Sequence, residues 1–99
     1  MSNDCEEETS KDELEQIRDS IEMIDNELAL LISRRFMLAK QAGEIKHSRG
    51  MPIKVPEMER KVIERAKHHF REHEQNEQAA KEIWEDIIKW SLDVQKTWF

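Results

Sequence analysis

The chain has 99 residues and a formal net charge of −6, with 38% charged and 37% hydrophobic residues. With only two glycines and two prolines, this composition is typical of long helices with solvated faces and disfavours a sheet-rich fold. The length allows one domain at most. The acidic balance excludes the basic surface of a nucleic-acid-binding protein. No apolar run is long enough to predict a signal peptide or a membrane span.

The negative charge is concentrated at the N-terminus. Residues 1–13 contain six acidic residues and one lysine, so they carry −5 of the net charge of −6. We predict that residues 1–11 form a disordered acidic tail and that residues 12–99 form one helical domain. The single cysteine, Cys5, has no partner for an internal disulfide, which is what we expect of a protein in the reducing cytoplasm.

The first predicted helix runs from about Asp12 to about His47. Its apolar residues are spaced alternately three and four apart, which marks one buried face of a long helix. They are Leu14, Ile17, Ile21, Ile24, Leu28, Leu31, Leu38, Ala42 and Ile45. Such a helix is roughly 50 Å long, whereas a compact globule of this chain length is about 30–35 Å across. We therefore expect an all-α intertwined homodimer with three helices per chain, in which a second copy covers this face.

Two shorter helices are predicted after a loop. The segment from Ser48 to Pro56 contains both prolines and Gly50, and it is the main loop. The second helix begins near Pro56 and runs to about Glu74, and the third follows a break at residues 75–78 with Asn76 as its N-cap. The apolar stripes of these two helices are Val62, Ile63, Ala66 and Phe70, and then Ala80, Ile83, Trp84, Ile87, Ile88, Val94 and Trp98.

One position breaks the apolar pattern of the first helix. Between Leu31 and Leu38 the expected apolar residue is replaced by Arg35. A guanidinium keeps its charge when buried, and burying it without a partner is strongly unfavourable. No carboxylate lies three or four residues away on the same helix. Arg35 therefore either binds an acidic ligand or pairs with a carboxylate of the partner chain, such as Glu27.

The third helix has a similar anomaly. Its stripe continues from Ile87 to Ser91 and then to Gln95, which places two hydrogen-bonding side chains on the apolar face. Buried polar groups need partners, and a polar ligand between helices would supply them. On the first helix, Arg35 and Lys46 share one face and are separated by two alanines that leave space for a ligand. Together, the side chains of Arg35, Lys46, Ser91 and Gln95 predict a site for a small anion.

Two more charged residues are candidates for this site. Arg18 lies 17 residues before Arg35, or about 25 Å along the helix axis, so one small ligand contacts both only if Arg18 comes from the partner chain. Glu59 lies just past the loop, at the start of the second helix, where it can accept a hydrogen bond from a ligand hydroxyl. The simpler alternative for Glu59 is an acidic residue that stabilises a first helical turn.

Four segments carry a family resemblance. They are LEQIRDSIEMID (14–25), SRRFMLAKQAGEIK (33–46), PIKVPEMER (52–60) and WSLDVQ (90–95). Their polar residues and spacing resemble those of the all-helical chorismate mutases over residues 12–98. The resemblance implies an intertwined dimer with two active sites, each built from both chains. It also implies a cofactor-free and metal-free rearrangement of chorismate to prephenate, on the shikimate route to phenylalanine and tyrosine.

The resemblance assigns catalytic roles to three residues. Lys46 resembles the lysine that contacts the ether oxygen and a carboxylate of chorismate, and Gln95 resembles the second donor to that oxygen. Arg35 resembles the arginine that binds a substrate carboxylate. The reaction breaks a C–O bond as a C–C bond forms, and the ether oxygen gains negative charge. Fixed donors at this oxygen therefore stabilise the transition state more than the ground state.

The resemblance also assigns substrate-binding roles. Ser91 resembles the hydroxyl near the ring carboxylate, Glu59 the acid that receives the ring hydroxyl, and Arg18 the arginine contributed across the dimer. Two positions depart from the family pattern, because Val55 stands where the family has an aspartate and Met58 where it usually has an arginine. Both changes remove polar contacts around the substrate, so we expect a lower activity or a shifted substrate.

The sequence is also compatible with other functions. An isochorismate pyruvate-lyase has the same fold; Glu59 favours the mutase, whereas Met58 leaves the choice open. A non-catalytic helical dimerisation module would use Arg35 only as a structural cation. His69 and His73 are spaced four apart, as metal ligands on a helix are, but no zincin-type acidic residue accompanies them. We therefore predict no metal site.

Overall fold

The computed structural model describes the backbone of residues 2–96 and the side chains of residues 12–96. The chain forms α1 (Ser2–Ser48), α2 (Pro56–Glu72) and α3 (Glu77–Lys96), and residues 2–96 contain no strand. This confirms the all-α class and the long first helix. The prediction of a disordered acidic tail concerns residues 1–11, whose side chains lie outside the described range, and it stays a prediction. Trp98 also lies outside that range.

The end of α1 is set by a backbone motif around Gly50. The backbone N–H of Gly50 donates to His47 O at 3.1 Å, and that of Met51 donates to Lys46 O at 2.8 Å. Gly50 has a φ of 65°, a left-handed conformation that glycine adopts without strain. This is the Schellman arrangement that closes many helices. α2 then begins at Pro56, where the missing N–H of proline leaves no helical hydrogen bond unmade.

A second motif of the same kind ends α2 earlier than predicted. The sequence pattern suggested an end near Glu74, whereas the helix ends at Glu72. Glu74 has a φ of 56°, and the N–H of Gln75 donates to Phe70 O at 2.7 Å. The predicted N-cap of α3 is confirmed, because Asn76 Oδ1 accepts hydrogen bonds from the backbone N–H groups of residues 78 and 79 at 2.8 and 3.2 Å.

The chain divides into two units, Met1–Ser33 and Arg34–Phe99. The first is the N-terminal part of α1. Its predicted apolar residues are 49–59% exposed: Leu14, Ile17, Ile21, Ile24, Leu28 and Leu31. The apolar face is therefore present but uncovered within the described chain, and the predicted homodimer stays a prediction.

The second unit contains the C-terminal part of α1 together with α2 and α3. Its most buried apolar residues are Ala66, Ala80, Ile87 and Ile88. Phe70 of α2 packs edge-on against Trp84 of α3, with ring centroids 6.2 Å apart, which is a favourable aromatic arrangement. Not all of the predicted α3 stripe is buried, because Ile83 is 47% exposed. None of the described helices is long and apolar enough to span a membrane.

Candidate active site

A cavity of about 660 Å³ lies within the second unit, between the C-terminal part of α1, the loop after it, α2 and α3. Six of the seven predicted site residues line it: Arg35, Lys46, Val55, Glu59, Ser91 and Gln95. Its wall is otherwise mainly apolar and includes Leu38, Met58 and Val62. A mostly apolar cavity with a few converging polar groups is typical of a small-molecule site.

Arg35 reaches the cavity from α1 and is held by α3. Its Nη1 donates a 2.6 Å hydrogen bond to Ser91 Oγ, and this hydroxyl donates in turn to Ile87 O at 2.7 Å. Burial lowers the pKa of Arg35 because the charged guanidinium loses water. A guanidinium has five N–H donors, of which Ser91 uses one. Arg35 therefore has donors left for an anionic group in the cavity.

Lys46 and Gln95 form a hydrogen-bonded pair across the same cavity. Lys46 Nζ donates to Gln95 Oε1 at 3.2 Å and to the main-chain oxygen of Ile53 at 2.9 Å. The amide Nε2 of Gln95 donates to Ser91 O at 3.3 Å. An ammonium has three N–H donors and a primary amide has two. Each side chain therefore keeps one N–H donor for a ligand oxygen.

Glu59 contributes a buried acceptor to the cavity. Its Oε2 is buried and has no hydrogen-bond partner among the described residues. Its Oε1 lies 4.0 Å from Lys54 Nζ, at the limit of an ion pair. A buried acceptor without a donor is unfavourable, so a ligand hydroxyl placed here would satisfy Oε2.

A family model described as chorismate mutase type II matches residues 17–96. The chain belongs to the type II chorismate mutase family. A similar relative is the chorismate mutase of Methanocaldococcus jannaschii, which is 35% identical over 85 residues, 86% of each chain.

Two longer relatives match this chain over only a small part of their own length. The bifunctional chorismate mutase/prephenate dehydratase of Aquifex aeolicus is 44% identical over 54 residues, which is 54% of this chain and 15% of that protein. The T-protein of Haemophilus influenzae is 41% identical over 46 residues, which is 46% of this chain and 12% of that protein.

Arg18 is the one predicted site residue that the structure does not bring to the cavity. It lies in the Met1–Ser33 unit, where it is exposed, and it does not line the cavity of the second unit. The expectation that the family resemblance gave, an arginine supplied by the partner chain, stays a prediction.

The two departures from the family pattern both face the cavity. Val55 and Met58 line it together with Glu59, so the wall around the Glu59 carboxylate is apolar where the resemblance predicted an aspartate and an arginine. An apolar wall lowers the local dielectric constant, which strengthens the electrostatic interactions of the remaining polar groups. It also leaves Glu59 as the acidic group of this wall within the described lining.

Three histidines, His68, His69 and His73, lie at the C-terminal end of α2 and contact groups of the same segment. His73 Nδ1 lies 2.9 Å from His69 O, and His68 Nε2 lies 3.1 Å from Glu72 Oε1. Among residues 12–96, no group of three or more His, Cys, Asp or Glu side chains is placed to hold a metal ion.

Two contributors to the site were not predicted from the sequence. The first is the main-chain oxygen of Ile53, which no side-chain pattern can reveal. The second is Gly43, a buried glycine inside α1 that contacts Gln95. A signal for Gly43 was available, because a glycine inside a helix costs about 1 kcal/mol relative to alanine and needs a packing or functional reason.

Proposed function

We propose that this protein is a chorismate mutase that converts chorismate to prephenate in the biosynthesis of phenylalanine and tyrosine. Membership of the type II chorismate mutase family supports the activity. The observation that carries the proposal is the pair formed by Lys46 Nζ and Gln95 Oε1 at 3.2 Å, in the cavity that Arg35 also lines. We place the enzyme in the cytoplasm, in keeping with a single cysteine that has no disulfide partner in the chain.

The proposed reaction is an intramolecular rearrangement. The ether C–O bond of chorismate breaks while a C–C bond forms between its enolpyruvyl arm and its ring, and no atom leaves the molecule. Negative charge develops on the ether oxygen in the transition state. The remaining N–H donors of Lys46 and Gln95 would contact this oxygen, and donors fixed before the reaction stabilise the charge without reorganising.

Binding of the substrate is assigned to the other polar residues. Arg35 would bind one substrate carboxylate, with Ser91 beside it at 2.6 Å. Glu59 would accept a hydrogen bond from the ring hydroxyl, which would satisfy its buried oxygen. Holding the flexible arm over the ring selects the reactive conformer, and positioning of this kind contributes strongly to rate.

The proposed assembly is a homodimer with two shared sites. The apolar residues of the first unit are about half exposed or more, and a second copy of the same helix is the simplest cover for such a face. In this arrangement Arg18 of each chain would complete the site of its partner. The substrate has two carboxylates, so a second arginine beside Arg35 would provide one cation for each.

The test is chorismate consumption by the purified protein, with identification of the product. Prephenate formed at a saturable rate supports the proposal, and an Arg35→Met variant provides the matched inactive control. Absence of turnover on chorismate contradicts it. Isochorismate, followed for release of pyruvate, then tests the lyase alternative that the apolar wall of Val55 and Met58 leaves open. A stable dimer without activity on either substrate would identify a non-catalytic module.

A further inference from the structure

Gly43 is an unusual residue for its place in the helix. It lies within α1, three residues before Lys46, and it is buried. Glycine weakens a helix relative to alanine because it has more conformational freedom to lose on folding. Gly43 has a helical backbone, so its φ does not require glycine, whereas Gly50 has a φ of 65° that does. The reason for glycine at position 43 must therefore be steric.

The steric reason is the close approach of Gln95. A Cβ atom at position 43 would lie 2.9 Å from Gln95 Cγ, 3.0 Å from its Cβ and 3.1 Å from its Cα. Carbon atoms in ordinary contact are about 3.5–4.0 Å apart. Rotation of the Gln95 side chain can move Cγ, but it cannot move Cβ or Cα. Relief of the contact therefore requires the backbone of α3 to move away from α1 at this position.

Such a movement would change the hydrogen-bonded pair of Lys46 and Gln95. The bond from Lys46 Nζ to Gln95 Oε1 is already long at 3.2 Å, and the bond from Gln95 Nε2 to Ser91 O is 3.3 Å. A shift of a few tenths of an ångström between the helices, which would relieve the contact, brings the first bond to the limit of hydrogen-bonding distance. Gly43 thus sets the separation at which the Gln95 amide lies beside the Lys46 ammonium.

We propose that Gly43 is a positioning residue for catalysis, which holds the Gln95 amide at the distance where it and Lys46 share the ether oxygen of the substrate. Gly43 contacts no substrate atom in this proposal and acts only through Gln95. The expected effect of Gly43 on kcat rests on the proposed mutase activity, whereas the steric contact between positions 43 and 95 rests on packing alone. The two parts are tested separately.

The kinetic test compares Gly43→Ala with Gly50→Ala. At Gly50 an added Cβ has no heavy atom within 4 Å, so this control strains the backbone without touching Gln95. We expect Gly43→Ala to lower kcat by about 10- to 100-fold, as small misplacements in active sites do, with KM changed less than about threefold because Arg35 is untouched. Gly50→Ala should keep its kcat within about twofold even where its Tm falls.

A double substitution separates positioning from general damage. In a Gln95→Ala background the Cα and Cβ contacts persist but the amide is gone. If Gly43 acts through the amide, Gly43→Ala should lower kcat by less than about twofold in this background, since interacting residues are non-additive. An equal loss in both backgrounds, or a Gly43→Ala enzyme with unchanged kcat, would overturn the proposal.

A stability measurement covers the case in which Gly43→Ala does not fold. Gln95→Gly removes the Cβ and Cγ atoms that the new methyl group meets at 3.0 and 2.9 Å. Gly43→Ala should therefore lower Tm by less in a Gln95→Gly background than in the unsubstituted protein, and the double variant should fold even where Gly43→Ala alone does not. An equal fall in Tm in both backgrounds would refute the steric contact, whatever glycine at position 95 costs the helix by itself. This measurement of Tm does not depend on activity. Absence of turnover in the unsubstituted protein would therefore refute the proposed mutase activity but not the steric contact.

Discussion

Arg35 Nη1 donates a 2.6 Å hydrogen bond to Ser91 Oγ, between residues 56 positions apart in the chain. The acceptor is neutral, so this bond orients the guanidinium without compensating its charge. Burial correspondingly lowers the pKa of Arg35. A substrate carboxylate would be a stronger partner, because it can accept two parallel N–H bonds from the guanidinium and compensates its charge. The free enzyme therefore holds an oriented cation with unused binding capacity.

Replacement of Arg35 by methionine should remove activity but not the fold. Methionine fills a similar apolar volume, and Ser91 Oγ keeps its hydrogen bond to Ile87 O at 2.7 Å. We expect kcat/KM to fall by about 100-fold or more and the free energy of unfolding to change by less than about 1 kcal/mol or to rise. Arg34→Met, one residue away at an exposed position, is the control and should retain activity. Full turnover in Arg35→Met would contradict the site assignment.

Subunit mixing tests whether Arg18 completes the partner's site. Arg18→Ala and Arg35→Ala chains should each be inactive as homodimers, whereas a heterodimer contains one intact site. An equal mixture with complete exchange should recover about a quarter of the wild-type sites, because half of its dimers are mixed. As a control, Arg35→Ala mixed with Lys46→Ala should recover nothing, since both substitutions affect the site of their own chain. No recovery in the first mixture despite exchange would rule out shared sites.

Most of the fold could be predicted from spacing alone. The three-and-four alternation identified α1, and Asn76 marked the start of α3 because its short side chain accepts hydrogen bonds from the backbone. The end of α2 was less accurate. Glu74 adopts a left-handed conformation with a φ of 56°, and glutamate carries no signal for it, in contrast to glycine at the end of α1.

The site was predictable where polar residues interrupt an apolar stripe. Arg35, Ser91 and Gln95 were identified in this way, and the structure brings all three to one cavity. Within residues 12–96 the partner of Arg35 is the Ser91 hydroxyl, and the predicted acidic ligand or carboxylate of the partner chain stays a prediction. The main-chain acceptor for Lys46 could not be predicted, since it depends on the conformation of a loop seven residues further along the chain.

Glu59→Met should stabilise the free protein and weaken substrate binding. The substitution removes a buried carboxylate oxygen that has no donor among the described residues, and such a group costs about 1–3 kcal/mol. We expect a higher Tm together with a KM for chorismate raised about tenfold, the loss of one hydrogen bond to a charged acceptor. Glu57→Met, at an exposed position of the same first turn, should leave KM unchanged and lower Tm slightly, because it removes a favourable charge at the helix N-terminus. A lower Tm in Glu59→Met would mean that Glu59 stabilises the fold.

The N-cap of α3 can be tested by changing Asn76. Asn76→Ala removes the acceptor for two backbone N–H groups and should cost about 1 kcal/mol of unfolding free energy, which lowers Tm by about 4–8 °C in a domain of this size. Asn76→Asp keeps a capping oxygen and should stay within about 0.5 kcal/mol of the wild type. Thermal unfolding followed by circular dichroism distinguishes the two. Equal Tm values for Asn76→Ala and the wild-type protein would exclude this N-cap as a source of stability.

The contact between the end of α2 and the start of α3 should make stability depend on acid pH. Arg71 Nη2 lies 2.8 Å from Glu77 Oε1, and this hydrogen bond lowers the pKa of Glu77. A carboxyl group whose pKa is lower in the folded protein than in the unfolded chain stabilises the fold at pH values above its unfolded pKa of about 4.3. This stabilisation is lost as the pH falls through the pKa of the folded protein. Glu77→Gln should therefore show a smaller fall in Tm between about pH 5 and pH 3 than the wild type. Glu82→Gln is the exposed control, and an identical profile for Glu77→Gln and wild type would contradict the prediction.

The acceptor that Ile53 offers to Lys46 is a peptide oxygen, and every amino acid carries one. Substitution at position 53 changes a side chain that lines the cavity but keeps this anchor, whereas insertion or deletion of a residue between 46 and 53 would displace it. Natural variation at this enzyme's loop should then be constrained in length rather than in residue identity. Positions 55 and 58 line the same cavity, and their side chains can change without removing the main-chain acceptor of the lysine.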